Sequence, residues 1–182
     1  MARVPRSQLE DGVYHATARG TGGEAIFVDD LDRLDFLQLL SSTGSSFGWL
    51  CHAYCLMTTH YHLVLETTRS QLSLGMQQLN GQHARRFNRR HDRRGHLFEP
   101  RFSAYAIRDE RYLEASCRYV LENPVRAGLC SSARDWRWSR LLRTAVHSPT
   151  LPEHALRREE VVSDDEDRAS HLPQADLADL SS

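Results

Sequence analysis

Lysine is absent from this 182-residue chain, in which all 23 basic residues are arginine. No run of about 18 apolar residues occurs, so no membrane-spanning helix is predicted. The first residues show neither the apolar core of a signal peptide nor an amphipathic targeting helix, so a cytoplasmic location is expected. Four cysteines are too few for a disulfide framework at this length, which favours small core residues.

Charge is distributed unevenly along the chain, although the net charge is only −1. Residues 1–146 hold 20 arginines against 15 acidic residues, whereas 147–182 hold 3 against 9. The last segment has few large apolar residues and no sustained periodicity, so it cannot bury enough surface to offset its ordering entropy. We therefore predict one folded domain over residues 1–147 and a disordered acidic tail over 148–182.

The apolar patterns predict the element order β-α-β-β-α-β-α. Alternation predicts strands over residues 12–18, 49–57, 60–66 and 101–107. Helical spacing predicts helices that begin near residue 30, over 70–88 and over 110–123, with a loop over 41–48 and Pro124 ending the last helix. This order indicates an α+β sandwich with helices on one face of a mainly antiparallel sheet.

Two histidines stand one residue apart in the stretch TTHYHLVLE, residues 58–66. On a strand, His60 and His62 point to one face and Tyr61 points to the other. Two imidazoles side by side form half of a metal site that needs a third ligand from elsewhere. The alternative is a pair of exposed surface histidines without a function.

The helix predicted over 110–123 offers partners for these histidines. Tyr119 and Asn123 are separated by four residues, so a phenolic oxygen and an amide oxygen can approach one point. With a metal that polarises a phosphodiester, a tyrosine can attack phosphorus and form a covalent phosphotyrosine. Packing is the competing interpretation of Tyr119, and Tyr112 lies on the same stripe of the helix.

An arginine-rich stretch covers residues 84–102 and holds seven arginines against two acidic residues. Arginine forks bind phosphates, and the interleaved Phe87, Phe98 and Phe102 are expected to stack on unpaired bases. A solvated charged surface is the alternative. The predicted nucleic-acid contacts in this stretch are Arg85, Arg86, Arg89, Arg90, Arg93 and Arg94.

A zinc site is a further alternative, because Cys51 and Cys55 lie close to the two histidines in sequence. The spacing matches no common zinc module. On a strand the two cysteines would stand roughly 13 Å apart. The sequence therefore gives this alternative little support.

Five blocks of the sequence resemble, in order, the signature blocks of the REP-associated tyrosine transposases. This family belongs to the single-tyrosine HUH transposases, named for histidine, hydrophobic residue, histidine. The resemblance covers nearly all of residues 14–129, and Thr59 departs from it because asparagine usually precedes the first histidine. The blocks are YHATARG (14–20), IFVDDLDR (26–33), AYCLMTTHYHLVLE (53–66), RRGHLFEPRF (93–102) and RYVLENPVRAGL (118–129).

The resemblance implies a role for each matching residue. His60, His62 and Asn123 would hold Mg²⁺ or Mn²⁺, and Tyr119 would be the nucleophile. The family nicks single-stranded DNA at hairpin-forming sites and joins the 5′ end to the tyrosine. His96 and Arg101 match positions that we assign to DNA contact.

Together these features predict a transposase with a ferredoxin-like α+β core, active as a monomer or homodimer on single-stranded hairpin DNA. Residues 1–147 would form its catalytic domain. A catalytically idle module that binds single-stranded nucleic acid is the first alternative. The second is a metal-dependent phosphodiesterase that uses water, which would leave no covalent adduct.

Overall fold

The computed structural model describes residues 11–142, which contain five strands and three α-helices. Short 3₁₀ turns at Thr21–Gly23 and Ala133–Asp135 complete the described elements. The tail predicted over 148–182 lies outside the described residues. In chain order the elements are β1 (Gly12–Arg19), α1 (Asp30–Phe47), β2 (Leu50–Leu56), β3 (His60–Thr67), α2 (Arg69–Arg90), β4 (Ser103–Ile107), α3 (Glu110–Arg126) and β5 (Ser139–Leu141).

The sheet is antiparallel throughout, with the strand order β4-β1-β3-β2-β5. The unit β1-α1-β2-β3-α2-β4 with β1 and β3 at its centre is the ferredoxin-like arrangement. The predicted α+β class and antiparallel sheet are therefore confirmed. Strand β5 extends the sheet beyond β2 and was not predicted, because three residues are too short for a visible alternation.

The helices cover both faces of the sheet. Helices α1 and α2 pack on one face, where Phe36 and Met76 meet Leu63 in the larger apolar core. Helix α3 lies on the opposite face, where Val120 meets Val64 in a second core. The expected placement of helices on one face holds for α1 and α2 only. Apolar side chains on the second face require cover, and the amphipathic α3 supplies it.

Helix α1 runs seven residues further than its apolar spacing predicts. Asp29 caps its start by accepting hydrogen bonds from the backbone N–H groups of Leu31 and Asp32. The predicted loop over 41–48 is wrong, because the helix continues to Phe47 and ends at Gly48 in a left-handed conformation with φ of 62°. Thr43 is buried there, so tertiary packing outweighs the weak helix propensity of the small residues.

Helix α3 also passes its predicted end. Asp109 caps its start by accepting a hydrogen bond from the backbone N–H of Tyr112. Pro124 lies inside the helix, which ends two residues later at Arg126. A proline lacks one N–H donor and disfavours helix before it rather than after it, so the last turn can still form.

No helix in the described part of the chain is long and apolar enough to cross a membrane.

Helix α2 contacts the core through a glycine, and this contact gives a test of the packing. A Cβ at Gly75 would lie 2.3 Å from a ring carbon of buried Trp49. We expect Gly75→Ala to lower the free energy of unfolding by about 1–3 kcal/mol, because the overpacking outweighs the better helix propensity of alanine. Urea denaturation measures the change.

Gly81 provides the matched control in the same helix. A Cβ there would meet only the flexible end of Arg85, at 3.5 Å. Gly81→Ala should therefore raise the free energy of unfolding by up to about 1 kcal/mol. Equal stabilisation by both substitutions would contradict the packing of Trp49 against Gly75.

Candidate active site

The pairing of β1 with β3 brings a set of polar side chains to the α3 face of the sheet. His15 pairs with Val64, and Arg19 pairs with His60. Residues directly opposite each other on antiparallel strands project from the same face. Because Val64 contacts the α3 side of the core, His15, Arg19 and both histidines of β3 project towards α3.

His62 lies at the centre of this set and is fully buried. Its Nδ1 lies 3.0 Å from Nε2 of His15 in a buried hydrogen bond. Its other ring nitrogen, Nε2, is buried without a hydrogen-bond partner. Burial, together with the nearby His15, His60 and Arg19, lowers the pKa of His62 well below its ordinary value. The ring is therefore neutral near pH 7, and Nε2 can offer a lone pair.

His60 is partly buried and has a similar arrangement. Its Nδ1 lies 3.0 Å from the hydroxyl oxygen of Thr59. Burial and the charge of Arg19 lower the pKa of His60 to about 4. The ring centroids of His60 and His62 are 5.0 Å apart. In both histidines a neighbour engages Nδ1, so Nε2 is the ring nitrogen that remains to bind a metal.

Tyr119 projects from α3 onto these histidines and is 2% exposed. Its ring centroid lies 6.1 Å from that of His62 and 6.0 Å from that of His15, in edge-on contacts. The Arg126 guanidinium lies 5.0 Å from the centroid of the Tyr119 ring. Tyr112 is partly buried against the second apolar core, to which Tyr119 also belongs. The edge-on contacts place the Tyr119 ring directly against His62 and His15.

Asn123 is buried one turn after Tyr119. Its Nδ2 donates a hydrogen bond to the backbone oxygen of Tyr119 at 3.0 Å, which orients the amide. The Asn123 side chain lies close enough to His62 to raise the pKa of that ring against the effect of burial. The structure therefore brings Tyr119, Asn123 and the two histidines of β3 together.

The donor atoms at this point fit a divalent metal. Within residues 11–142, no three His, Cys, Asp or Glu side chains are grouped so as to hold a metal. A metal here would use the two histidines with the Asn123 amide as its third protein ligand. The unpartnered Nε2 of His62 favours this, because buried polar atoms seldom lack a partner.

The arrangement of the cysteines contradicts the zinc alternative. Cys51 packs into the core beneath α1 and α2, whereas Cys55 packs into the core beneath α3. A register shift in β2 between Cys51 and Ala53 separates the two faces. Burial raises the pKa of the Cys51 thiol to about 12, so the thiolate needed for zinc is disfavoured.

Three of the arginines predicted to contact DNA form ion pairs inside the fold. Arg86 pairs with Asp35 of α1, and Arg93 pairs with Glu24. Arg90 pairs with Asp29 and with buried Asp32. The hydrogen bond from Arg90 lowers the pKa of Asp29 to about 2. The pairs of Arg86 and Arg90 fasten the end of α2 to the start of α1, and all three pairs reduce the charge available to a ligand.

The other predicted DNA contacts remain exposed. Phe87 and Phe102 are buried in the core and Phe98 is partly buried, so the expectation that these rings stack on bases is wrong for Phe87 and Phe102. The Glu99 N–H donates to the Arg19 carbonyl at 2.9 Å, so this segment passes beside the histidine site. The exposed members are Arg85, Arg89, Arg94, His96 and Arg101.

Three residues around the histidines were not identified from the sequence. His15 and Thr59 engage the Nδ1 atoms, and Arg19 lies beside His60. Residues 15 and 17 lie on one face of the strand predicted over 12–18, and Arg19 lies just beyond its predicted end. The local sequence pattern does not show that this face lies beside the histidines of a later strand.

Two solved structures are similar to this chain in fold. The chain of a REP-associated tyrosine transposase bound to a REP hairpin is similar, with a TM-score of 0.62 and 18% identity over 76% of this chain and 82% of that chain. A protein of Deinococcus radiodurans, provisionally assigned as a transposase, has a TM-score of 0.45 and 19% identity over 67% of this chain and 97% of that chain. Comparison with curated proteins gave no significant match.

The first of these solved structures supports the fold. The sequence supports the family directly, because the model of the family described as "Transposase IS200 like" matches residues 9–123. That match covers more than half of the chain and includes both histidines, Tyr119 and Asn123. The chain therefore belongs to the IS200-like transposase family.

Proposed function

We propose that this transposase nicks single-stranded DNA beside hairpins and transfers strands through a 5′-phosphotyrosine at Tyr119. The observation that carries the proposal is the ring contact of Tyr119 with the neutral His62, whose Nε2 has no hydrogen-bond partner. The phenolic oxygen would bond to phosphorus, and the P–O3′ bond would break. The phenol loses its proton, and the departing 3′ oxygen gains one.

His60, His62 and Asn123 would hold Mg²⁺ or Mn²⁺. When bound, the ion would act as a Lewis acid on a non-bridging phosphate oxygen. Imidazole ligands favour Mn²⁺ over Mg²⁺, so Mn²⁺ is the better ion for tests. The protein keeps both imidazoles neutral through burial, so protons do not compete for the ligand nitrogens near pH 7.

The DNA would lie along the exposed arginines at the end of α2 and in the segment after it, which passes Arg19 at Glu99. Arg85, Arg89, Arg94 and Arg101 are exposed and form no ion pair within the described residues. A protein with the same fold has been solved with a REP hairpin, which supports hairpin DNA as the ligand here. The active form would be a monomer or a homodimer.

Covalent capture tests the proposal. Protein would be incubated with Mn²⁺ and labelled single-stranded hairpin DNA from repeats near its gene, then separated under denaturing conditions. We expect a labelled protein band in the wild type and none in Tyr119→Phe or His62→Ala, because the first lacks the nucleophile and the second a metal ligand. Tyr112→Phe is the matched control and should form the adduct.

Each other outcome selects an alternative. Salt-sensitive DNA binding without an adduct across several hairpins would indicate a catalytically idle binding module. Cleavage that persists in Tyr119→Phe without an adduct would indicate a phosphodiesterase that uses water.

The arginines of α2 should separate into two groups. Arg89→Ala should weaken DNA binding and reduce the slope of log affinity against log salt by about 1, because a phosphate contact is lost. Arg90→Ala should instead lower the urea midpoint, because Asp32 loses an ion-pair partner. Salt titrations and urea denaturation of both variants measure the two effects. If the slope of log affinity against log salt falls only in Arg90→Ala, then Arg90 and not Arg89 contacts the DNA.

His15 should control metal binding through His62. If His62 holds the metal through Nε2, its Nδ1–H would donate to His15 Nε2, and this hydrogen bond would fix the tautomer. We expect His15→Leu to weaken Mn²⁺ binding by about 10- to 100-fold. His15→Gln retains an acceptor and should stay near the wild type. Titration calorimetry without DNA measures both, and unchanged affinity in a folded His15→Leu protein would exclude this role.

A further inference from the structure

Arg19 is the last residue of β1 and lies beside the histidine site. It pairs directly with His60 across the antiparallel ladder. Its side chain therefore leaves the sheet on the same face as His60 and His62. Arg19 is partly buried, and the Glu99 N–H fixes its carbonyl at 2.9 Å. The backbone on both sides of this side chain is thus held in place.

The guanidinium of Arg19 has no acidic partner in the part of the chain that the structure describes. The nearby Glu24 pairs with Arg93, and Glu99 contacts Arg19 only through its backbone. The pairing of Arg19 with His60 puts this side chain next to that ring, on the same face as His62. A partly buried arginine without a carboxylate beside neutral imidazoles favours an anion.

We propose that Arg19 binds the non-bridging oxygens of the phosphate that Tyr119 attacks. This inference rests on the proposed function, since it names the group that receives the substrate at the same site. A planar guanidinium can donate two parallel hydrogen bonds to a phosphate, which fixes the orientation of phosphorus as well as its position. The arginines of α2 would hold the DNA elsewhere along its backbone.

The charge of Arg19 gives the proposal a distinctive signature. A divalent ion and Arg19 repel each other in the DNA-free protein, whereas a phosphate attracts both. Loss of the Arg19 charge should therefore leave Mn²⁺ binding unchanged or stronger without DNA, yet slow the reaction with DNA. Damage to the fold would weaken Mn²⁺ binding and also slow the reaction. A slower reaction with unchanged or stronger Mn²⁺ binding therefore indicates a phosphate contact and not a structural role.

The first experiment compares Arg19→Gln and Arg19→Lys with the wild type. Arg111→Gln, which removes one exposed charge from the first turn of α3, is the matched control. We expect Arg19→Gln to slow adduct formation by about 10- to 100-fold, Arg19→Lys to be intermediate, and the control to match the wild type. A wild-type rate in Arg19→Gln, or loss of its Mn²⁺ binding, would overturn the proposal.

A second experiment needs no cleavage and so remains decisive if the proposed reaction fails. Tyr119→Phe protein in EDTA is titrated with hairpin oligonucleotides that each carry one neutral methylphosphonate. We expect one position at which the methylphosphonate weakens binding to Tyr119→Phe. At that position the methylphosphonate should have no effect on binding to the double variant that also carries Arg19→Gln. If the effects of the methylphosphonate and of Arg19→Gln on binding add at every position, Arg19 contacts no single phosphate and the inference is refuted.

Discussion

The hydrogen-bonded register of β1 against β3 is the constraint on which the rest of the site depends. It aligns Arg19 with His60 and places His15 within a hydrogen bond of His62. A slip of one residue would turn His15 and Arg19 towards the core beneath α1 and α2. Tyr14 and Ala16, buried in that core, oppose such a slip. Apolar packing on one face therefore fixes the positions of polar groups on the other.

Helix α3 converts this polar face into an enclosed site. Its cover is what buries His62 and keeps the ring neutral. The helical repeat then presents Tyr119 and Asn123 one turn apart, and the Asn123 amide is oriented by the carbonyl of Tyr119 itself. The enclosure of His62 and two of the candidate site residues thus come from the same helix. A helix that only covered the apolar residues would not need a buried asparagine at this point.

Local periodicity indicated the candidate residues of the site, the family resemblance selected among them, and neither revealed their surroundings. Alternation places His60 and His62 on one face, and helical spacing joins Tyr119 to Asn123. Arg19 required the strand register, and the ion pair of Arg90 with Asp32 required the packing of α2 on α1; both are contacts between distant residues. The buried Phe87 and Phe102, expected on the surface, show the same limit. A charged neighbourhood in sequence does not reveal which rings fill the core.

The enclosure of Tyr119 limits how DNA can reach it. The phenol must contact phosphorus in the proposed reaction, yet the residue is 2% exposed and Arg126 lies over its ring. His60 and Arg19 are the less buried members of the site, and they lie where β1 ends and β3 begins. The arginine-bearing segment passes this end through the Glu99–Arg19 backbone contact. A strand held by those arginines would therefore enter beside Arg19, so its phosphate would meet the guanidinium before it meets the tyrosine.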